Sequence, residues 1–204
     1  MSPSAAVDST RDRIVGAAKA EFARYGIAGA RVDRIAKNAK TGKERVYAYF
    51  RSKENLYRYI AAEELAAIAE ATQMDPTDLP GYAGRIHDYF VAHRANYRLM
   101  KWGRLEFGGG GPGDPTRETI ARKTEQLRYA QRAGHLDSEW DPRDILVFVD
   151  QLATAWIDQT DLTASIGSAA EGAEFLAARR AAIVAAVERL FPAANASGGW
   201  RADS

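Results

Sequence analysis

The chain has 204 residues, a formal net charge of +1, 46% hydrophobic and 27% charged residues, and no cysteine. This composition is ordinary for a globular protein with a buried core, and the lack of cysteine excludes disulfides and thiolate chemistry. No stretch approaches the roughly 20 apolar residues of a membrane-spanning helix, and no apolar run follows a basic start as in a secretory signal. We therefore expect a cytoplasmic protein without a membrane partner.

Positive charge is concentrated at the N-terminal end. Residues 1–60 hold 13 Lys and Arg against 6 Asp and Glu, a formal net charge of +7, and residues 61–204 hold 15 against 21, a net of −6. Such asymmetry favours phosphate contact at one end of the protein. A run of charged residues alone is more often a solvated surface. A prediction of DNA binding therefore also needs a backbone geometry that fits DNA. The clustered cations are Arg31, Arg34, Lys37, Lys40, Lys43, Arg45, Arg51 and Lys53.

Three helices are predicted in this basic region. We expect residues 1–8 to form a disordered lead, Ser9 to cap the first helix and Gly26 to end it. A second short helix stops at a tight break, Lys40-Thr41-Gly42, and a third follows at once. The apolar positions are Val32, Ile35, Ala36 and Ala39 in the second helix and Val46, Tyr47 and Phe50 in the third. Two short helices joined by such a turn form a helix-turn-helix, whose second helix fits the DNA major groove.

The remainder of the chain also reads as helix. Ser52 is predicted to cap a helix that runs to about residue 73. Later helices are predicted from Tyr82 to about Trp102, from Pro115 to Ala133, from Pro142 onward, and from the Ser168–Glu171 capping box to Pro192. The glycine-rich segment 108–113 is interpreted as a flexible connector and the tail as mobile. No alternating strand pattern appears, so the fold class is all-α.

The N-terminal motifs resemble those of the tetracycline-repressor (TetR) family of bacterial regulators. The matching segments, in order and at matching spacing over residues 10–60, are Ile35-Ala36, Tyr47-Ala48-Tyr49-Phe50 and Ser52-Lys53-Glu54-Asn55-Leu56. The rest of the chain matches the family in length and helical layout only. The resemblance implies an N-terminal three-helix helix-turn-helix domain plus a C-terminal helical bundle, and a homodimer through the last two long helices. The expected domains are 1–55 for DNA binding, 56–192 for effector binding and dimerisation, and 193–204 as a flexible tail.

The resemblance also implies a function. We expect a transcriptional repressor that binds a palindromic operator of double-stranded DNA and leaves it when a small apolar or aromatic effector binds the C-terminal domain. Two departures from the family pattern affect the turn. Lys40 must adopt a left-handed backbone where the family has glycine, and Thr41 or Gly42 must replace the usual Ser cap. Arg31 stands where a Thr normally caps the second helix.

Candidate DNA contacts lie on and around the third helix. Val46 and Phe50 are predicted to face inward, and Lys43 and Glu44, at the helix start, to read base edges. Glu44 has the alternative of a capping-box acid. The resemblance adds Tyr47 and Tyr49 as phosphate or base-edge contacts, with half-buried packing as the alternative, and Lys53 as a phosphate contact. The full predicted set is Arg31, Lys40, Lys43, Glu44, Arg45, Tyr47, Tyr49 and Lys53.

The C-terminal part carries weaker signals. The last helix is a candidate dimer face, with internal packing as the alternative; its residues are Ala177, Ala178, Ala181, Ala182, Ala185 and Ala186 with Ile183, Val187 and Leu190. Aromatic residues with a few polar groups fit an effector pocket, although ordinary core is the alternative. The predicted ligand contacts are Phe90, His93, Tyr97, Trp102, Glu106, Phe148 and Trp156.

Two rival functions are less consistent with the sequence. An enzyme is disfavoured because His87, His93 and His135 lack the spacing of a helical metal pair, and neither a nucleophile elbow nor HExxH occurs. We therefore expect no catalytic residue, metal or cofactor. A helical protein-interaction module would leave the N-terminal charge asymmetry unexplained.

Overall fold

The computed structural model describes residues 3–107, 115–159 and 169–192. Every regular element in these ranges is a helix, which confirms the all-α prediction. The helices are α1 (Pro3–Gly29), α2 (Val32–Asn38), α3 (Lys43–Phe50), α4 (Lys53–Thr72), α5 (Leu79–Ala92), α6 (Arg94–Phe107), α7 (Pro115–Arg132), α8 (Pro142–Thr154) and α9 (Ala169–Leu190). Within the described residues, no helix combines the length and apolar character needed to cross a membrane.

The chain divides into two compact units. The first comprises Met1–Ala67 and His93–Glu118, and the second comprises Ile68–Ala92 and Thr119–Ser204. The first unit therefore includes α6 beside the N-terminal helices, because α6 packs on α1. The predicted functional boundary after residue 55 falls in the first turn of α4, a continuous helix that passes from one unit into the other.

The core of the first unit comes from the apolar stripes of its helices. Side chains of α1, α2, α3, α4 and α6 share it, and the most deeply buried are Ile14, Phe22, Ile35, Val46, Leu56, Ile60 and Leu99. The ring of Phe22 meets that of Tyr57 edge to face, with 5.5 Å between centroids. Packing of these large side chains in one core fixes the orientation of the short helices α2 and α3 against α1 and α4.

The N-terminal helix differs from its prediction at the start. α1 begins at Pro3, so Ser9 lies inside the helix instead of capping it, and the expected disordered lead through Asp8 is wrong from Pro3 onward. Proline is favoured at the first helical position, and the alanines that follow are strong helix formers. The predicted stop at Gly26 is confirmed, because this residue has φ of 71° before a final turn that ends at Gly29.

The second unit has its own core. α5 packs against α8 and α9, and the buried residues there include Tyr82, Ile86, Phe90, Ile145, Val149, Ile183 and Val187. The single helix predicted over Tyr82–Trp102 is wrong: it splits at His93 into α5 and α6. Apolar periodicity alone did not reveal the split, because both halves keep a helical stripe while packing in different units.

Several predicted helix ends are confirmed. Asp141 caps α8, its side chain accepting from the backbone N–H of Arg143 at 2.8 Å, and the Arg143 guanidinium lowers the pKa of Asp141 to about 2. Gly134 follows α7 with φ of 75°. α8 ends at Thr154, so Trp156 lies just beyond it. The segment 108–113, Ser168 of the predicted capping box and the tail 193–204 lie outside the described residues.

Candidate nucleic-acid interface

Two buried side chains attach α3 to the rest of the first unit. Val46 and Phe50, one turn apart, are 2% and 7% exposed, as the sequence predicts. The other faces of the helix are open to solvent, where they present Lys43, Glu44, Arg45, Tyr47 and Ala48. An eight-residue helix held by one edge and exposed elsewhere has the form that enters a DNA major groove.

The turn before α3 confirms the expected strain at Lys40. This residue has φ of 52°, in the left-handed region that favours glycine. Its N–H donates to the carbonyl of Lys37 at 3.1 Å, and the N–H of Thr41 donates to that of Ala36 at 3.0 Å. These two bonds form a Schellman motif, which fixes where α2 stops and α3 begins.

The cap of α3 decides between the two interpretations of Glu44. The N-cap is Gly42, in an extended conformation and without a side-chain cap bond, so Thr41 does not take that position. Glu44 is then the second residue of the helix, whereas a capping box needs its acid at the third. The capping-box alternative for Glu44 is wrong, and its side chain is exposed.

A buried acid of α1 holds the start of α2 without capping it. Arg31 is the N-cap, and its own side chain makes no cap bond. Instead Glu21 of α1, 4% exposed, accepts from the backbone N–H of Arg31 at 3.0 Å and from Nε of Arg34 at 2.7 Å. Arg34 also lies over the ring of Tyr25, 4.2 Å from its centroid. Arg34 is thereby committed to the fold, while Arg31 keeps its guanidinium on the surface.

Half of the predicted DNA contacts meet in one cleft. The cleft has a volume of about 400 Å³ and lies among α2, α3 and the start of α4. It is lined by Ala30, Arg31, Val32, Asp33, Lys43, Tyr47, Arg51, Ser52, Lys53 and Glu54. Its four cations against two acids give it the excess positive charge that phosphate oxygens need.

The other predicted contacts lie on the opposite flank of α3 and in the turn. A second groove is lined by Gly42, Glu44, Arg45, Ala48 and Tyr49. Tyr49 is half-buried, with its ring 6.1 Å from that of Phe50, which agrees with the packing alternative for this residue. Tyr47 is 40% exposed and therefore accessible to a ligand. Lys40 is exposed in the turn itself.

Two lysines of the cleft already have partners. Lys43 Nζ lies 3.0 Å from Asp33 Oδ1, and this hydrogen-bonded carboxylate raises the pKa of Lys43. Lys53 Nζ donates to the carbonyls of Ala28 and Ala30, each at 3.2 Å. The roles of Asp33 and Glu21 were not predicted from the sequence, although the position of Glu21 beside the buried Phe22 on the apolar stripe of α1 was a visible signal.

The predicted ligand contacts are divided between the two units. His93, Tyr97, Trp102 and Glu106 belong to the first unit, and Phe90, Phe148 and Trp156 to the second. The carboxylate of Glu106 accepts from backbone N–H groups of the α1–α2 turn. In the second unit Phe90 is buried beside Tyr89, Phe148 packs edge-on against Trp140, and Trp156 packs against Phe175. These assignments stay predictions.

The last helices expose a small apolar surface. On α9, Ala177, Ala178, Ala181 and Ala182 are exposed. Ile183 and Val187 are 4% and 0% exposed because they pack inside their own unit, so their predicted part in a dimer face is wrong. The larger exposed apolar side chains of these helices are instead Val147 and Phe148 on α8 and Leu190 on α9, at 53%, 41% and 41%.

No group of three or more His, Asp or Glu residues in the described part of the chain is arranged to hold a metal ion.

Two family models match the sequence. "Bacterial regulatory proteins, tetR family" matches residues 14–60, and "Tetracyclin repressor-like, C-terminal domain" matches residues 78–189. Among characterised relatives, the HTH-type transcriptional repressor SCO4008 of Streptomyces coelicolor is 36% identical over 148 residues, 72% of this chain and 77% of that protein. The HTH-type transcriptional repressor NicS of Pseudomonas putida is 36% identical over 128 residues, 59% of this chain and 56% of that protein.

Solved structures of other regulators match the fold of this chain. A transcriptional regulator from Streptomyces coelicolor, SCO4942, is 54% identical, with a TM-score of 0.77 over 90% of this chain and 98% of that one. The fatty acid degradation regulator FadR of Bacillus halodurans has a TM-score of 0.60 over 93% and 99% of the two chains, and at 19% identity it supports the fold alone.

Proposed function

Since the chain belongs to the TetR family of bacterial regulatory proteins and is a DNA-binding transcriptional regulator, not an enzyme, we propose that it is a homodimeric, effector-released repressor. One observation carries the DNA-binding part of this proposal: α3 buries Val46 and Phe50 and leaves its cationic and tyrosine side chains in solvent. One such helix covers about one half-site, so two copies would read half-sites roughly 34–36 Å apart on a palindromic operator.

Roles can be assigned to the exposed side chains by their chemistry. Lys43 and Arg45 can donate to guanine O6 and N7, and Glu44 can accept from cytosine N4. Arg31, Lys40 and Lys53 supply positive charge for backbone phosphates, which positions the protein without reading sequence. Repression is supported by two relatives that are described as transcriptional repressors.

The dimer would form through α8 and α9. Val147 and Phe148 on α8 leave much of their apolar surface in water, and the alanines of α9 allow close helix approach. When a second copy covers apolar side chains that one copy leaves exposed, their removal from water stabilises the dimer. The dimer therefore accounts for a surface that the single chain leaves uncovered.

The effector would bind the C-terminal part of the chain. The second unit encloses polar groups among its aromatic side chains: Lys123 Nζ lies 2.5 Å from the hydroxyl of Tyr82, and His87 Nε2 is buried without a hydrogen-bond partner among the described residues. Apolar walls with a few polar groups are typical of small-molecule sites. We infer that Phe90 and Trp156 belong to the apolar part of this site and that the effector is apolar or aromatic.

Selection of bound duplexes from a random-sequence library tests the operator proposal. We expect an enriched palindrome, and loss of its specific binding when Lys43→Ala and Tyr47→Ala are combined. The matched control is Lys37→Ala, because Lys37 is an exposed lysine of α2 that does not line the cleft. Specific binding that survives the double substitution contradicts the placement of the reading helix, and a chain that retains no duplex is better explained as a protein-interaction module.

Titration of the selected complex with a panel of apolar and aromatic compounds tests effector release. A compound that dissociates the duplex, and that loses this effect when Trp156→Ala is introduced, supports the proposed site. Release of the duplex that is unaffected by Trp156→Ala would show that the effector binds at another site.

A further inference from the structure

Glu106, near the end of α6, closes the turn that leads from α1 to α2. α1 breaks at Gly26, where φ is 71° and ψ is 179°. Backbone N–H groups just after such a break need an acceptor. Glu106 supplies it with both carboxylate oxygens: Oε1 accepts from Ile27 N at 2.8 Å, and Oε2 accepts from Ala28 N at 2.6 Å.

The break at Gly26 is shaped for this contact. A Cβ atom at this position would lie 2.7 Å from Glu106 Oε1 and 3.1 Å from the ring of Trp102. Glycine both adopts the positive φ and leaves room for the carboxylate. The backbone conformation at residue 26 and the side chain at residue 106 therefore depend on each other.

The same turn is held from its carbonyl side by two cations of the DNA-binding helices. Lys53 Nζ donates to Ala28 O and Ala30 O at 3.2 Å each. Arg34 donates to a third carbonyl of the turn at 3.0 Å. An anion on the N–H groups and cations on the C=O groups fix the turn from both sides with charge-assisted hydrogen bonds, which are stronger than neutral ones.

We propose that Glu106 is a positioning residue for DNA binding. By capping the turn at residues 26–30 it sets where Arg31, the next residue, and Lys53, bonded to that turn, stand in the cationic cleft. Glu106 acts only through these two side chains and makes no contact with DNA. The inference rests on the proposed operator binding and adds a residue from α6, outside the helix-turn-helix, to the determinants of that binding.

The contact can be removed without detaching α6. The hydroxyl of Tyr57 donates to the carbonyl of Leu99 at 3.0 Å, and Nε of Arg98 donates to the carbonyl of Ala23 at 3.1 Å. Both bonds hold α6 on the first unit independently of Glu106. The neighbouring Leu105, 73% exposed, provides a matched control position on the same helix.

The test compares the full-length wild type with Glu106→Ala, Glu106→Gln and Leu105→Ala. The probes are the duplex enriched by selection and a mixed-sequence duplex of equal length, each over a salt series at a temperature where circular dichroism shows every variant folded. For Glu106→Ala we expect about a tenfold weaker affinity for the enriched duplex and a salt slope shallower by about one, because one phosphate contact is displaced. Leu105→Ala should match the wild type.

Amide hydrogen exchange supplies the second readout. In Glu106→Ala the amides of Ile27 and Ala28 should exchange about tenfold faster or more, while that of Val46 stays unchanged. Glu106→Gln, which keeps one acceptor oxygen, should fall between the wild type and Glu106→Ala in both measurements, and it replaces Glu106→Ala if that variant does not fold.

Faster exchange of the two amides with unchanged affinity and salt slope would overturn the proposal, because the cap would then be purely structural. Unchanged exchange would overturn it as well. If the wild type itself bound neither duplex, the proposed operator binding would fail instead, while the amide measurement would still test the cap.

Discussion

The ammonium nitrogen of Lys43 lies 3.0 Å from Oδ1 of Asp33, so the first residue of the reading helix is paired with an acid on α2. Both side chains are exposed, and an exposed ion pair is weak because water and salt screen the two charges. In the proposed complex, DNA therefore displaces Asp33 from Lys43 at little cost. Until it does so, Asp33 occupies a donor that would otherwise attract any phosphate.

Asp33→Asn should bind DNA more strongly and less selectively. Removal of the carboxylate frees Lys43 for phosphates of any sequence, so the salt slope on a mixed-sequence duplex should steepen by about one. The ratio of specific to non-specific affinity should fall. Filter binding or fluorescence anisotropy over a salt series measures both quantities.

Glu54→Gln is the control for Asp33→Asn. Glu54 lines the same cleft and loses the same charge, but none of the described ion pairs joins it to Lys43. Equal changes in the two variants would show that only the net charge of the cleft matters, and would contradict a specific role for the Asp33 pair.

Lys40→Gly should stabilise the fold and weaken DNA binding. The φ of 52° at Lys40 strains a residue with a Cβ, and glycine removes this strain. We expect a gain on the order of 0.5–1 kcal/mol in the free energy of unfolding, measured by urea denaturation. Affinity for mixed-sequence DNA should fall because a cation near the phosphates is lost.

Two further variants separate the effect of the strained backbone at residue 40 from the effect of the lost charge. Lys37→Gly removes the same side chain from a helical position, where glycine should destabilise by about 1 kcal/mol. Lys40→Gln keeps the strain and removes the charge, so it should alter the salt slope but not the stability. A Lys40→Gly variant that is less stable than the wild type would contradict the strain argument.

The local structure around α3 could be predicted because its signals are local. The burial of Val46 and Phe50 follows from helical periodicity, and the strain at Lys40 follows from the position of the turn. Asp33 and Glu106 were not assigned their contacts, since these depend on helices meeting across the fold. Glu106 lies 79 residues from its partner Ile27, a separation over which periodicity carries no information.

Val147→Glu should disrupt a dimer built on α8 and α9. Val147 is 53% exposed in the single chain, and a carboxylate there would be buried without a partner if a second copy covered it. Analytical ultracentrifugation should show a shift to monomer, with weaker binding to a palindromic duplex. Ile120→Glu on α7, where the native residue is 46% exposed, is the control. A Val147→Glu protein that remains dimeric would place the interface elsewhere.

Stability should rise with pH through Lys123. Burial lowers the pKa of this amine, with Asp150 opposing the shift and Arg122 adding to it. Between that lowered value and the ordinary pKa of about 10.4, the unfolded chain binds more protons than the folded one, so the free energy of unfolding increases with pH. Burial raises the pKa of Tyr82, so near the ordinary tyrosine pKa of about 10 the unfolded chain loses this proton first, which opposes the increase at the upper end of the window.

The measurement is urea denaturation of the wild type and Lys123→Met from about pH 7 to about pH 10. The difference in unfolding free energy between the two proteins should change across the series in favour of the wild type. Parallel curves for the wild type and Lys123→Met would contradict the lowered pKa of Lys123.

The limits of sequence reasoning are clearest in the C-terminal part. Ile183 and Val187 fit a dimer stripe as well as a core stripe, and the structure places them in the core. The aromatic residues proposed as one pocket are divided between two units, because a periodic pattern gives the face of a helix but not its neighbour. In both examples, contacts between residues far apart in sequence determine which side chains are buried and which lie together.

Of the eight residues of α3, Val46 and Phe50 are the ones buried in the fold. Substitutions at the exposed positions therefore cost little stability, and the surface proposed to meet DNA is free to diverge in evolution while the scaffold is retained. With the proposed reading helix, a duplicated copy of this gene would need changes at only a handful of α3 positions to acquire a different target sequence.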